Sequence, residues 1–390
     1  MKGLKDRVVI AGVGYTKFGE LWDKSQEDLL VDAVYEALED AGVEPKEIEA
    51  GWVGIQYPFT GVSGGSAAEF LKMYGIPFTR VENFCASGMD AFRNACLAVA
   101  SGVHEMVLAC GVEKLMDQGS RGLPDMGGAR GVMMQFPPAP SMFALAATRC
   151  FEVYGWNKET LANVAVKNHE HGSHHPKAHF RKPVTKEQVL KAPIIAWPLG
   201  RFDCCAMSDG AAALIITTPE RIKNLKHKDD YVKVLANAIS VHTLAPWLHP
   251  QFDFTGFPST QQAGKMAYEQ AGIKDPVKEI DLVECHDCFT ITELLNIQDL
   301  GLCKKGEAGD FVAEGNTKYG GLIPVNVSGG LKCFGHPIGA TGCRMLVELT
   351  KQLQGRADGL QVKDAKIGLA HNLGGAFTVA SVTILARQDV

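Results

Sequence analysis

The chain has no excess of positive charge. Its 39 lysines and arginines face 44 aspartates and glutamates, for a net charge of −5. A protein that reads a phosphate backbone needs the opposite balance, so nucleic acid is not an expected partner. No stretch is apolar for long enough to span a bilayer, and no membrane association is expected. The N-terminal run Met1-Lys2-Gly3-Leu4-Lys5-Asp6-Arg7 leads into a strand without the apolar region of a leader. The glycine-rich segments lack the Gly-Lys-Ser/Thr ending of a phosphate loop. The cysteines show no second pair at zinc-finger spacing, and no metal is expected. Eleven cysteines, an odd number scattered among apolar neighbours, do not form a disulfide framework. They imply a reduced, cytoplasmic setting and mostly serve as small buried residues. What remains is ordinary globular composition, 390 residues that are 46% hydrophobic, enough for two cores or one duplicated one.

The chain repeats itself. Ser25-Gln26-Glu27-Asp28-Leu29-Leu30 opens a helix with apolar Ala33, Ala37 and Ala41, stopped at Gly42 and followed by the strand Trp52-Val53-Gly54. Ser259-Thr260-Gln261-Gln262 opens its counterpart, with Ala263, Ala267, Ala271 and Gly272, then Val283-Glu284-Cys285. An apolar strand precedes each helix, Val8 to Val13 and Val232 to Ala236. Later segments also match in order: Val81 to Cys85 with Pro324 to Ser328, and Glu105 to Gly111 with Lys366 to His371. Two β-α-β-α-β units therefore stand side by side, which implies an α/β fold with helices on both sheet faces. The division falls after residue 235, giving halves 1–235 and 236–390. Residues of about 113–205 do not fit the repeat and read as an inserted loop domain, a lid or an oligomer contact. Its Met133-Met134-Gln135-Phe136 stretch suits either a wall that moulds around a ligand or core packing.

Three segments carry chemistry. Cys85, in Asn83-Phe84-Cys85-Ala86-Ser87-Gly88, sits where a strand turns into a helix. A helix start favours a thiolate and lowers its pKa, and small neighbours admit a substrate. His286-Asp287-Cys288-Phe289 follows a buried strand, at the sheet edge where open α/β folds place their sites. His336 lies among glycines in Gly335-His336-Pro337-Ile338-Gly339, with Ser328-Gly329-Gly330 upstream. A nucleophilic thiol needs a base, oxyanion donors and an acid, and each role has a candidate here. A further group, His169, His171, His174, His175 and His179, is expected to be a surface or interface cluster rather than a metal site.

These motifs resemble the thiolase superfamily along essentially the whole chain. Asn83 to Gly88 is similar to the nucleophile motif and Gly335 to Gly342 to the Gly-His-Pro motif. His286-Asp287-Cys288-Phe289 and Lys167-Asn168-His169-x-His171 resemble the sterol-carrier-protein-type and archaeal branch. The segment His371-Asn372-Leu373-Gly374-Gly375-Ala376 departs from ordinary thiolases, which carry a second catalytic cysteine there. The resemblance implies that Cys288 takes that duty.

It also implies a duplicated fold of two β-α-β-α-β-α-β-β halves in five layers, α-β-α-β-α. The implied activity is acyl transfer with coenzyme A as substrate and no permanently bound cofactor. His336 activates Cys85, Cys288 protonates the leaving enolate, and His286 and His336 stabilise it. Backbone N–H groups of Cys85 and of Gly374–Gly375 hold the acyl oxyanion. Ser328, Gly329, Met134 and Phe136 are the candidate substrate-binding residues. The implied substrate is a 3-oxoacyl-CoA, either a bulky aromatic one such as the 2-benzoylsuccinyl-CoA of anaerobic toluene breakdown, or acetoacetyl-CoA. Expected partners are a second copy of the chain, in a homodimer or larger oligomer, and a small zinc-ribbon and OB-fold subunit that helps bind the CoA. A decarboxylating ketoacyl synthase and a non-catalytic scaffold are the alternatives. Cys288 argues against the first and the intact set of reactive groups against the second.

Overall fold

A computed structural model describes residues 4–57, 61–118 and 138–390. The first half runs β1 (Val9–Tyr15), α1 (Gln26–Ala41), β2 (Ala50–Gly54), α2 (Gly64–Leu71), β3 (Phe78–Val81), α3 (Ser87–Ala100) and β4 (Met106–Glu113). The insert follows, with α4 (Ala139–Tyr154), α5 (Lys158–Ser173), α6 (Lys186–Lys191) and the short strands β5 (Ile194–Ala196) and β6 (Leu199–Gly200). β7 (Gly210–Thr217) closes the half. The second half runs β8 (Val232–Val241), α7 (Pro258–Ala271), α8 (Pro276–Glu279), β9 (Leu282–Cys285), α9 (Thr290–Asp299), α10 (Ala308–Ala313), α11 (Gly330–Phe334), α12 (Ile338–Leu353), β10 (Ile367–Gly374) and β11 (Val379–Arg387).

The helix ends follow local chemistry. The Ser25 side chain accepts from the Asp28 N–H while the Asp28 carboxylate accepts from the Ser25 N–H, a reciprocal cap on α1. Gly42 ends that helix in the left-handed region at φ 71°. β1, β4 and β7 are buried along their whole length, which explains their unbroken apolar reading.

Nine strands form one sheet in the order β3-β2-β4-β7-β1-β8-β11-β10-β9. The order is a palindrome of the two halves. In each, the second strand pairs parallel with the fourth, and the fourth antiparallel with the fifth. The fifth pairs antiparallel with the first. The halves join where Val9 and Ile10 of β1 pair antiparallel with Lys233 and Val232 of β8. The dividing line expected after residue 235 therefore cuts β8, and the second half opens at Val232. Its third strand has shrunk to a single bridge, Val325 beside Val283.

α1 covers one face of the first half and α7 one face of the second. α3 and α12 pack against each other between the two parts of the sheet, which completes the five layers. Every residue of α12 is buried, as a helix enclosed on all sides requires. The close approach depends on glycine: a Cβ on Gly111 would lie 2.0 Å from the Gly339 carbonyl oxygen, and one on Gly88 2.5 Å from the same atom. Gly111→Ala is thus expected to destabilise the fold by about 1–3 kcal/mol through overpacking. A denaturant midpoint equal to the parent's would contradict that backbone contact.

This middle layer positions the chemistry. α3 and α12 are equivalent helices of the two halves, and Cys85 and His336 each lie just before the first turn of one of them. The β9 end delivers His286 and Cys288 between them. The insert packs on the second half, with α5 against α9, α10 and α11. Met134 and Phe136 lie outside the described residues.

Candidate active site

One donor atom from each of Cys85, His286 and His336 lies within 4.8 Å of the others. The Cys85 turn is built by its neighbours. Phe84 takes φ +51°, a conformation L-residues rarely adopt. Ser87 fixes it: its N–H donates to the Phe84 carbonyl at 3.0 Å and its Oγ accepts from the Asn83 N–H at 2.9 Å. The Asn83 amide donates to Asp90 at 2.6 Å. Gly374 closes over the turn, where a Cβ would meet the Asn83 oxygen at 2.6 Å. The N–H of Gly375 points at the Cys85 thiol.

Cys85 is half-buried, and burial pushes its thiol up to about 12 despite the Gly375 and Cys85 N–H groups. The helix start is expected to lower it; here desolvation is the largest cause and raises it, and the buried Glu113 carboxylate adds to the rise. His336 is held down to about 3, by burial first and then by Arg344. Both shifts favour the neutral thiol and the neutral imidazole over an ion pair. Alkylation of Cys85 by iodoacetamide should rise about tenfold per pH unit through pH 9, because the thiolate fraction grows up to the pKa. A plateau below pH 8 would show an ion pair instead.

His336 Nδ1 lies 2.7 Å from Thr341 Oγ1, and that hydroxyl donates to the Pro337 carbonyl at 2.9 Å. The hydroxyl proton is thus engaged, so Nδ1–H donates to it. Nε2 is buried and, among the described residues, without a hydrogen-bond partner. His286 packs edge-on to His336, ring centres 5.2 Å apart, and its Nδ1 lies 3.0 Å from the Asn372 side-chain nitrogen.

Cys288 is buried, with its Sγ 3.6 Å from Thr292 Oγ1. Burial pushes this thiol well above its ordinary value, and nearby Cys205 and Cys85 add to the rise. Cys205 went unnoticed in the sequence. Its N–H donates to the Cys288 carbonyl at 2.8 Å, beside an antiparallel bridge of Cys204 to Phe289. All eleven cysteines are free.

Beneath the His286–Cys288 loop lies a buried polar platform. Leu331 N–H and the Asn168 amide donate to Asp287 at 2.6 and 2.7 Å. Asn168 and Asn326 each donate to Glu293 at 2.8 Å, and the Lys167 ammonium lies 2.8 Å from the same carboxylate. Burial, then Glu293, raises the Asp287 pKa. The motif at Lys167-Asn168 thus supports the loop from below.

Two of the candidate substrate-binding residues, Ser328 and Gly329, are buried within the protein. The Ser328 hydroxyl donates to Glu284 at 2.7 Å and accepts from Arg344 at 2.8 Å, so it is engaged inside the protein. Gly329, at φ +98°, packs so tightly on α5 that a Cβ would lie 2.6 Å from Gly172 Cα. Of the histidine group, expected at a surface or interface, His169, His171 and His175 are buried and His174 is exposed. His171 Nδ1 meets the Asn326 carbonyl at 3.0 Å and its Nε2 accepts from the Tyr319 N–H at 3.0 Å. His171, and His175 at 3.1 Å from Glu348, bond the insert to the second half.

Two family models match the chain: the thiolase N-terminal domain over residues 8–220 and the thiolase C-terminal domain-like family over 245–387. The chain belongs to the thiolase family. Similar thiolase relatives include the acetyl-CoA acetyltransferase of Methanothermobacter thermautotrophicus, 41% identical over 97% of this chain and 99% of that protein. The enzyme of the same name from Methanocaldococcus jannaschii is 38% identical over 98% and 99%. Sterol carrier protein 2 of Gallus gallus is 33% identical over 95% of this chain and 70% of its own length. Among solved structures, the Ltp2-ChsH2(DUF35) aldolase superposes with a TM-score of 0.86 at 27% identity, covering 98% of both chains. The Acat5 thiolase of Ascaris suum, in complex with coenzyme A, has the same fold, with a TM-score of 0.72 at 22% identity over 98% of this chain and 100% of that one. The protein is accordingly an acyltransferase of the thiolase type.

Proposed function

We propose that this thiolase cleaves or forms a 3-oxoacyl-CoA through an acyl group carried on Cys85. The observation that carries it is the convergence of Cys85, His286 and His336 within 4.8 Å. In cleavage, the bare Nε2 of His336 takes the Cys85 proton, and the thiolate attacks the C3 carbonyl. The N–H groups of Cys85 and Gly375 hold the alkoxide, with Gly374 shaping the turn. The C2–C3 bond then breaks, and its electrons pass into a thioester enolate held by His286 and the protonated His336. Cys288 gives its proton to C2. The CoA thiol attacks the acyl-Cys85 thioester and returns a proton to Cys288; His336 returns the other to Cys85. The same three donor atoms could surround a cation, but this scheme uses each as a proton or carbonyl partner.

Acetoacetyl-CoA is the favoured substrate, since both archaeal relatives are acetyl-CoA acetyltransferases. A bulky aromatic substrate such as 2-benzoylsuccinyl-CoA is the second reading. It rests on the aromatic cluster around Phe289, the neighbour of Cys288 in sequence, where Phe143 packs on Phe289 and Phe377 at 4.7 and 4.9 Å between ring centres. A small CoA-binding subunit is proposed as partner because the solved Ltp2 is paired with ChsH2. A homodimer is proposed on the edge of β3, the end of the sheet among the described residues, which a second copy would extend. The setting is proposed to be cytoplasmic, consistent with the free thiols. CoA-dependent cleavage of acetoacetyl-CoA and 2-benzoylsuccinyl-CoA, measured with and without the co-purified partner, tests these points. Turnover of acetoacetyl-CoA alone supports the first substrate, and turnover of neither would sink both.

A further inference from the structure

We propose that Asn372 is a positioning residue that fixes His286 as a hydrogen-bond donor, so that the two active-site histidines hold opposite tautomers. The inference rests on the acyl-transfer reading above for its purpose, though not for its geometry. His286 is buried, so the proton arrangement of its ring is set by its neighbours. The Asn372 amide nitrogen lies 3.0 Å from His286 Nδ1. With the amide nitrogen on this side the amide donates and Nδ1 is the acceptor; the Asn372 oxygen faces Gly342 and has no hydrogen-bond partner among the described residues. The proton of the neutral ring then sits on Nε2. The His286 carbonyl is itself held, accepting from the Asn296 amide at 2.7 Å, which fixes the backbone from which the ring projects.

His336 is the reverse. Its Nδ1–H donates to Thr341 at 2.7 Å, and its Nε2 is bare. Two rings 5.2 Å apart thus carry different tools. His336 presents a lone pair that can take a thiol proton; His286 presents an N–H that can stabilise an oxyanion. Were both rings in the same tautomer, the site would hold two bases and no neutral donor, or two donors and no base. Asn372 lies in β10, two residues before the Gly374–Gly375 turn that closes on Cys85. One segment therefore sets both the oxyanion turn and the His286 tautomer. A carboxylate at 372 would reverse the assignment, because it accepts where the amide donates. Burial, His336 and Arg344 oppose a charged imidazolium at His286, so the ring proton moves from Nε2 to Nδ1.

The test is nitrogen NMR of substrate-free protein labelled in its 12 histidines, with the His286 signals located by their loss in His286→Gln. The wild type should show His286 with Nε2 protonated and Nδ1 bare, and His336 with the opposite pattern. A proton on His286 Nδ1 in the wild type overturns the proposal without any variant. In Asn372→Asp, which matches the parent in shape, His286 Nδ1 should gain the proton; an unchanged tautomer also overturns it. Exchange of acetyl-CoA α-protons with solvent should fall by ~10²-fold, the scale of losing one oxyanion donor. Acetylation of Cys85 should change far less. Equal losses in both steps would mark a merely structural role. Because the tautomer is read without substrate, failure here is distinguishable from failure of the acyl-transfer scheme.

Discussion

Cys85→Ala should lose at least ~10³-fold in turnover, as removal of a nucleophile does. The fold should survive, since the thiol is half-buried and its removal leaves the turn bonds of Asn83, Phe84 and Ser87 intact. Steady-state cleavage of acetoacetyl-CoA, with the thermal midpoint as a control, checks it. Loss of a few fold only would mean that another of the crowded thiols, Cys205 or Cys288, carries the acyl group. The contrast is informative because the rise in the Cys85 pKa to about 12 leaves little free thiolate at neutral pH. The reaction must therefore couple proton removal by His336 to attack on the substrate. On this account His336→Ala should cost a comparable amount, because neither residue works without the other.

The largest effect on stability is expected below the site. Lys167 and Glu293 are 2.8 Å apart and essentially unexposed, at 1% and 0% of their side chains. Lys167→Met leaves the Glu293 carboxylate buried without its cation and next to Asp287. Breaking such a pair from one side costs about 3–5 kcal/mol. The thermal midpoint should drop sharply, and Glu293→Gln added to Lys167→Met should restore part of it. A Lys167→Met variant as stable as the parent would show that Asn168 and Asn326, each donating at 2.8 Å, satisfy the carboxylate unaided.

The duplicated architecture was legible because helical spacing and caps are local. Ser25 and Gly42 mark the ends of α1 in the sequence as they do in space. The segments holding Cys85, His286 and His336 were legible because glycine and histidine in short buried-strand contexts point to sheet-edge chemistry. What the sequence hid depends on tertiary neighbours. The Cys85 pKa is set by enclosure, which a helix-start argument does not measure. Ser328 looked available beside glycines, yet Glu284 and Arg344, 44 and 16 residues away in sequence, engage its hydroxyl. The crowd of histidines in and after α5 reads as a surface or interface cluster because nothing local reveals that the Asn326 carbonyl and the Tyr319 N–H will meet His171. Asn372 carried no signal of its own, since its partner is 86 residues away.

Under the proposed mechanism two thiols divide the work: Cys85 carries the acyl group and Cys288 moves the proton. One measurement reads both, mass spectrometry of Cys288→Ala incubated with acetyl-CoA in deuterium oxide. The account predicts an acetyl group on Cys85 and no deuterium in the methyl group of recovered acetyl-CoA, where the parent protein exchanges it. Acetyl on another cysteine, or exchange at the parent rate, would contradict it.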